Sequence, residues 1–197
     1  MNLLKEKLLH PLKMGWYEIQ IRILGTWAFF LKQQKAAELR IAKRYYNQEP
    51  INEQSDKDVV LMINGFTWSG GLADRLRAIV ALYDWCNRHH RVFRLNFSCP
   101  FHLSDYLIPN SYDWTPRKIV FNLHQAKPKV CLLEPRTCNR KEVLQIHNQL
   151  IEGWCNSNLI DETTQLHVYS NLFRWDIDFG RLFNELFRPC ERLQKEI

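Results

Sequence analysis

With 197 residues, 46% of them hydrophobic and 13% aromatic, the chain has material for one core of ordinary size, lacks room for two full domains, and is too apolar for wholesale disorder. The formal charge of +6 excludes more than it first suggests. Residues 1–46 hold nine Lys/Arg against three Glu and so carry the whole excess, while the other 151 residues hold eighteen groups of each sign; a nucleic-acid-binding face over the main body is not expected.

In chain order, the first 46 residues mix bulky apolar and basic side chains. The apolar stretch 23–31, ILGTWAFFL, is bounded by Arg22 and Lys32 and is too short to cross a bilayer, which takes about 20 residues. Trp16, Ile19, Ile23, Trp27, Phe30 and Leu31 recur at helical spacing. Such a helix can lie in a lipid interface with its Lys and Arg on anionic headgroups, or it can pack on the protein's own domain. Residues 47–57, NQEPINEQSDK, are polar, carry Pro50 and have no apolar period, so they read as a linker.

The main domain is expected over residues 58–197. Residues 58–63 form a short β-branched run suited to a strand buried on both faces. A glycine-rich turn follows, then an amphipathic helix from 72 to about 89 with Leu72, Leu76, Ile79, Val80 and Tyr83 as its stripe, then a strand at 91–97. Strand, glycine turn, helix, strand is a βαβ unit. Beyond it, residues 100–109 read as a loop with a short helix, 119–123 and 129–133 as strands, 140–152 as a helix, 165–169 as a strand, and 176–187 as a last helix ended by Pro189. Strands alternating with helices predict an α/β fold: a single Rossmann-like domain with a mostly parallel sheet flanked by helices, preceded by the basic aromatic helical segment.

Six cysteines (Cys86, Cys99, Cys131, Cys138, Cys155, Cys190) show no CxxC pair, and no secretory leader precedes them. They are expected to be reduced, buried thiols of a cytoplasmic protein. His89 and His90 diverge on any helix and read as solvent-facing. The remaining histidines and cysteines show no zinc spacing, so no metal or cofactor is called for.

Chemistry is expected at the turn 64–71, because parallel sheets bind ligands beyond the carboxyl ends of their strands. Gly65, Gly70 and Gly71 allow positive φ and close approach by another group. The turn matches neither G-x-G-x-x-G nor the P-loop. Trp68 within it suits either the core or a sugar-stacking platform.

Gly70-Gly71-Leu72-Ala73-Asp74-Arg75-Leu76-Arg77-Ala78 resembles the Gly-Gly-Leu-Gly-Asn-Gln/Arg-Leu segment at the first strand–helix turn of fucosyltransferase-like enzymes with GT-B architecture. Pro100-Phe101-His102-Leu103-Ser104-Asp105-Tyr106-Leu107 and Leu166-His167-Val168-Tyr169-Ser170-Asn171 are similar to stretches of bacterial polysaccharide enzymes of that kind. The resemblance implies an inverting sugar transfer from a nucleotide-sugar, GDP-fucose, to a glycan hydroxyl, without an obligatory metal. It places Asn64, Gly70, Gly71, Asp74 and Arg75 at the cleft between two domains, with Gly65, Trp68 and Arg77 in the same substrate-facing set. Asp74 stands where relatives have Asn: it can accept but not donate a hydrogen bond to a sugar, and it is the carboxylate nearest the turn for a general base. The alternative is a helix-start carboxylate that favours the dipole and pairs with Arg77.

The His-x-Arg-Arg-Gly-Asp-like stretch that relatives use to neutralise the donor diphosphate has no counterpart between Asp58 and Ile197. The chain is therefore expected to be the N-terminal, acceptor-side half of such an enzyme, working at the cytoplasmic face of a membrane, or else a non-catalytic transferase relic that binds glycan or a partner chain. If residues 1–46 seat on lipid, the purified protein will cosediment with anionic liposomes at low salt and be released as salt rises; no cosedimentation leaves the packed helix.

Overall fold

The computed structural model describes residues 26–45, 58–132, 164–171 and 174–195, together with the isolated positions 141, 145 and 149. Its elements are α1 (Thr26–Tyr45), β1 (Val59–Ile63), α2 (Leu72–Arg88), β2 (Phe93–Phe97), a 3-10 turn (Leu103–Asp105), β3 (Leu107–Pro109), β4 (Ala126–Cys131), β5 (Gln165–Ser170), α3 (Phe179–Leu186), β6 (Phe187–Pro189) and α4 (Glu191–Gln194).

Four strands form one parallel sheet in the order β2-β1-β5-β4. The centre is β1, in register with β2 (Val59 opposite Phe93) and with β5 (Val59 opposite Leu166). All five β1 residues are buried, as an uninterrupted apolar run predicts for a strand covered on both faces. The alternation sorts the two cores. Val59, Leu61 and Ile63 join α2 and the β5 residues Leu166 and Val168. Val60 and Met62 join Ala37, Ile41 and Tyr45 of α1. Helices thus cover both faces of a Rossmann-like α/β sheet, with α2 on one side and α1 on the other. Among the described residues β4 is the edge strand, a place that tolerates Pro128.

The packed alternative holds for the described side chains of α1. Gln34 grips β4's end, accepting from the Leu132 amide (2.9 Å) and donating to its carbonyl (2.7 Å), and Glu38 accepts from the Val130 amide (3.2 Å). Among the described residues no helix is long and apolar enough to cross a membrane. Residues 1–25, with Trp16, Ile19 and Ile23, and the linker 47–57 lie outside the described part.

Several expected elements shift. Residues 119–123 are not a strand: the place beside β5 is taken by β4, and the Val120 amide donates instead to the Gln165 side chain (3.3 Å). The strand expected at 129–133 begins earlier, at Ala126, after a turn in which Asn122 accepts from the His124 and Ala126 amides. The last helix starts at Phe179 rather than 176. Asp178 caps it by accepting from the Arg181 amide, whereas Asp176 is held by Arg174. It stops at Leu186, and Pro189 ends not that helix but β6, which pairs antiparallel with β3 inside the loop expected at 100–109. Leu72, placed on the buried stripe, is half exposed at the helix start, while Ala78 to Tyr83 are buried in an unbroken run because α3 covers the outer side of α2. Of the helix expected at 140–152, positions 141, 145 and 149 are helical and exposed. Cys86 and Cys131 are buried and outside any disulfide, as are the half-buried Cys99 and Cys190; Cys138, Cys155 and Trp154 lie outside the described residues.

The α1 face of β5 is polar. Gln165 and His167 point into it with Tyr169, and all three are buried. The Val120 amide donates to Gln165 Oε1, which fixes that atom as oxygen, so His167 Nε2 (3.0 Å away) carries the proton and Nδ1 accepts from the Tyr45 hydroxyl at 2.8 Å. The Tyr169 hydroxyl completes the chain at 2.7 Å from Tyr45. Burial holds His167 neutral, its pKa pushed down to about 3. Below its unfolded value of 6.5 the unfolded chain takes up a proton that the folded chain refuses. Stability is therefore greatest above pH 6.5 and falls as pH drops toward 3, at up to about 1.4 kcal/mol per pH unit. Urea unfolding of wild type and His167→Asn between pH 7 and pH 5 checks this: the variant should be weaker at pH 7 but flatter with pH, and parallel curves would remove His167 as the cause.

Candidate functional site

At Ile63 the central strand ends, and the chain has eight residues in which to leave the sheet and enter α2. Two glycines make the bend. Gly65 has φ +81° and Gly70 φ +77°, conformations that L side chains rarely adopt. A Cβ at 65 would stand 3.0 Å from Cys99 Sγ, and one at 70 only 2.8 Å from Asp74 Oδ2. Gly71 differs: its φ of −73° and ψ of 175° are open to any residue, and it serves as the N-cap of α2.

Asn64 Oδ1 accepts from the Phe66 amide (3.2 Å), bending the chain as Asx turns do. Its Nδ2 is buried with no hydrogen-bond partner of ordinary geometry among the described residues, although it lies near enough to the Tyr169 hydroxyl to oppose the rise that burial imposes on that phenol's pKa. Trp68 at the crest is 63% exposed and Leu72 is 49% exposed, so the bend presents apolar surface to solvent. Trp68 therefore does not belong to the core, unlike Trp85 and Trp114.

All eight expected residues gather on this one bend, but they do different work. Asp74, at the third helical position, accepts from the Gly71 amide (3.3 Å). That is half of a capping box, since glycine has no side chain to return the bond. Its other oxygen lies 3.7 Å from Arg77, both side chains being about half exposed. Arg75 folds back: Nε donates to the Gly70 carbonyl (3.0 Å), a terminal nitrogen donates to the Cys99 carbonyl (2.8 Å), and the guanidinium lies 5.8 Å from the Phe97 ring centre. It staples the bend to the end of β2. The helix-start alternative for Asp74 thus has its geometry on show.

A second feature shares the carboxyl edge of the sheet, on the α1 side. Arg40 and Arg44, with Ala37 and Ile41 of the same helix, border a hollow of about 310 Å3 closed by Phe66, Thr67 and Leu132. The Arg44 guanidinium lies 4.4 Å over the Phe66 ring, and Phe66 stacks on Tyr169 (6.4 Å, 10° between planes). Sequence reasoning missed this hollow because it set residues 1–46 apart from the domain; two arginines four apart on a helix, followed at once by Tyr45, were the available sign.

No known protein family, curated protein or solved structure matches the chain.

Removing the staple should cost fold stability. Arg75→Ala is expected to lose about 1–2 kcal/mol, since two charge-assisted bonds to carbonyls go with it. Gly70→Ala should lose a similar amount through its φ and the close Asp74 oxygen, and Asp74→Ala, being partly exposed, less than about 1 kcal/mol. An unchanged urea midpoint for Arg75→Ala would mean the guanidinium is free for a ligand.

Proposed function

We propose that this chain is a sugar-handling domain of the glycosyltransferase kind, acting in surface-polysaccharide synthesis. It would meet a glycan acceptor at the glycine bend and work with a nucleotide-sugar, GDP-fucose by resemblance, as donor. The observation that carries this reading is the exposed Trp68 indole on a bend held rigid at the carboxyl end of the central strand. A flat ring of that size left in water at the ligand-binding edge of a parallel sheet suits stacking on the apolar face of a pyranose. Gly65 and Gly71 in the same turn are exposed and, having no side chains, leave room for a sugar ring to approach.

A specific observation favours the non-catalytic version of the same reading. Asp74 and Arg75, the groups nearest the bend with acid–base or diphosphate chemistry, are engaged in holding the turn together. A transfer reaction would need its general base and its leaving-group cation from elsewhere. In this form the bend binds and positions a glycan, and residues 1–46 are the part that would meet an anionic membrane surface.

Two measurements separate these versions. Turnover of GDP-fucose by the purified chain, with or without an oligosaccharide acceptor, would establish the catalytic one; glycan binding without turnover would establish the other. In either case Trp68→Ala should weaken oligosaccharide binding roughly tenfold, about 1.4 kcal/mol, with an unchanged melting temperature. Oligosaccharide shifts in a two-dimensional amide NMR spectrum that bypass residues 64–72 would end the sugar reading.

A further inference from the structure

Arg40 and Arg44 are the strongest unexplained chemistry in the described part of the protein. They are one turn apart on α1, both are exposed, and both border the 310 Å3 hollow. Neither has an ion pair among the described residues. The nearby carboxylate on the same helix, Glu38, is turned instead toward β4, where it accepts from Val130 and lies 3.9 Å from Lys129. Among the described residues no acidic side chain lines the hollow.

A helix C-terminus welcomes a cation in its last turn, and this accounts for Arg44 on its own. It does not account for Arg40, a turn earlier, facing the same space. Nor is Arg44 a loose surface side chain: the Phe66 ring beneath it is itself packed against Tyr169 and Phe121, so the guanidinium plane is set in advance. Thr67 adds a hydroxyl to the rim, and Ile41 and Leu132 make the apolar wall. The hollow opens at the carboxyl edge of the sheet, between the residues that follow β1 and the residue that follows β4.

We infer that this hollow is a phosphate-binding site for a small soluble ligand, a phosphorylated monosaccharide or a mononucleotide, with Arg40 and Arg44 clamping the phosphate and the half-buried Leu132 side of the hollow beside the ring. Two guanidiniums with no acid between them among the described residues suit a dianion, and their forked donors match phosphate oxygens better than a single ammonium would. The volume falls at the low end of small-molecule pockets, which suits one ring and its phosphate rather than a dinucleotide. The site lies across α1's side of the edge from Trp68 and stands without the sugar reading of the bend.

The test is titration of the full chain with pyrophosphate, glucose 1-phosphate and GMP by calorimetry. Saturable binding is expected, weakened at least about tenfold in the double variant Arg40→Gln/Arg44→Gln. It should be unchanged in Lys32→Gln/Lys35→Gln, which removes the same charge from exposed positions of the same helix outside the hollow. Equal weakening in both variants, or no saturable binding to wild type at millimolar ligand, overturns the site. Binding only to phosphatidic acid vesicles also overturns it, because it would make the arginines a lipid-headgroup contact. Should the arginine variant fail to fold, the Nε–H resonances of Arg40 and Arg44 in the wild-type protein decide: they must shift on adding pyrophosphate, and if they stay still while other arginines move, the assignment falls.

Discussion

The structure depends on one constraint: β5 lies in the interior of the sheet yet carries Gln165, His167 and Tyr169 on one buried face. Each of these groups must find a partner away from water, because a buried polar atom left unpaired costs about 1–3 kcal/mol. The partners come from two sequence-distant places. Lys118 and Val120 satisfy Gln165 through their backbone, and Tyr45 of α1 bridges His167 and Tyr169. A purely apolar helix could cover the same face but would strand the imidazole nitrogen. The donor order, from Val120 to Gln165 and from Tyr45 to His167, leaves one tautomer and one position of α1 compatible with the sheet, so the polar face acts as a registration device for the helix.

That registration shapes the carboxyl edge. Because Tyr45 is pinned over β5, Arg44 immediately before it and Arg40 a turn earlier are brought to the rim beside Phe66, and Phe66 in turn belongs to the bend that leaves β1. On the other side the bend is held by Arg75 against the end of β2 and by the two glycines that admit close neighbours. The edge therefore has two distinct surfaces, an aromatic crest at Trp68 and a cationic hollow under α1, separated by the rigid turn 64–71. Rigidity there suits binding more directly than it suits proton transfer, since the ionisable groups closest to the crest are the ones that make it rigid.

The bend was legible in the sequence as a place. Glycines after an apolar β-branched run and before an amphipathic helix can hardly mark anything but a strand–helix turn, and Asn64, Trp68, Asp74 and Arg75 do cluster there. Their division of labour was not legible. Whether Arg75 reaches outward or back to the Cys99 carbonyl depends on where β2 ends relative to α2, which is a matter of sheet geometry and not of spacing along the chain. The same holds for residues 119–123, whose strand-like composition lost to β4 in the competition for the flank of β5.

By itself the sequence determined the periods: a doubly buried strand at β1, a helix on one stripe after it, an alternation that implies parallel strands, and a surplus of positive charge confined to the first 46 residues. These follow from local preference and from the 2.0 and 3.6 repeats, which need no knowledge of distant neighbours. Only the tertiary structure decided that β5 sits between β1 and β4, that the basic segment's last turns roof the sheet, and that two of its arginines share a hollow with Phe66. Those outcomes rest on satisfying buried polar groups across more than a hundred residues of sequence, and no local pattern carries that information.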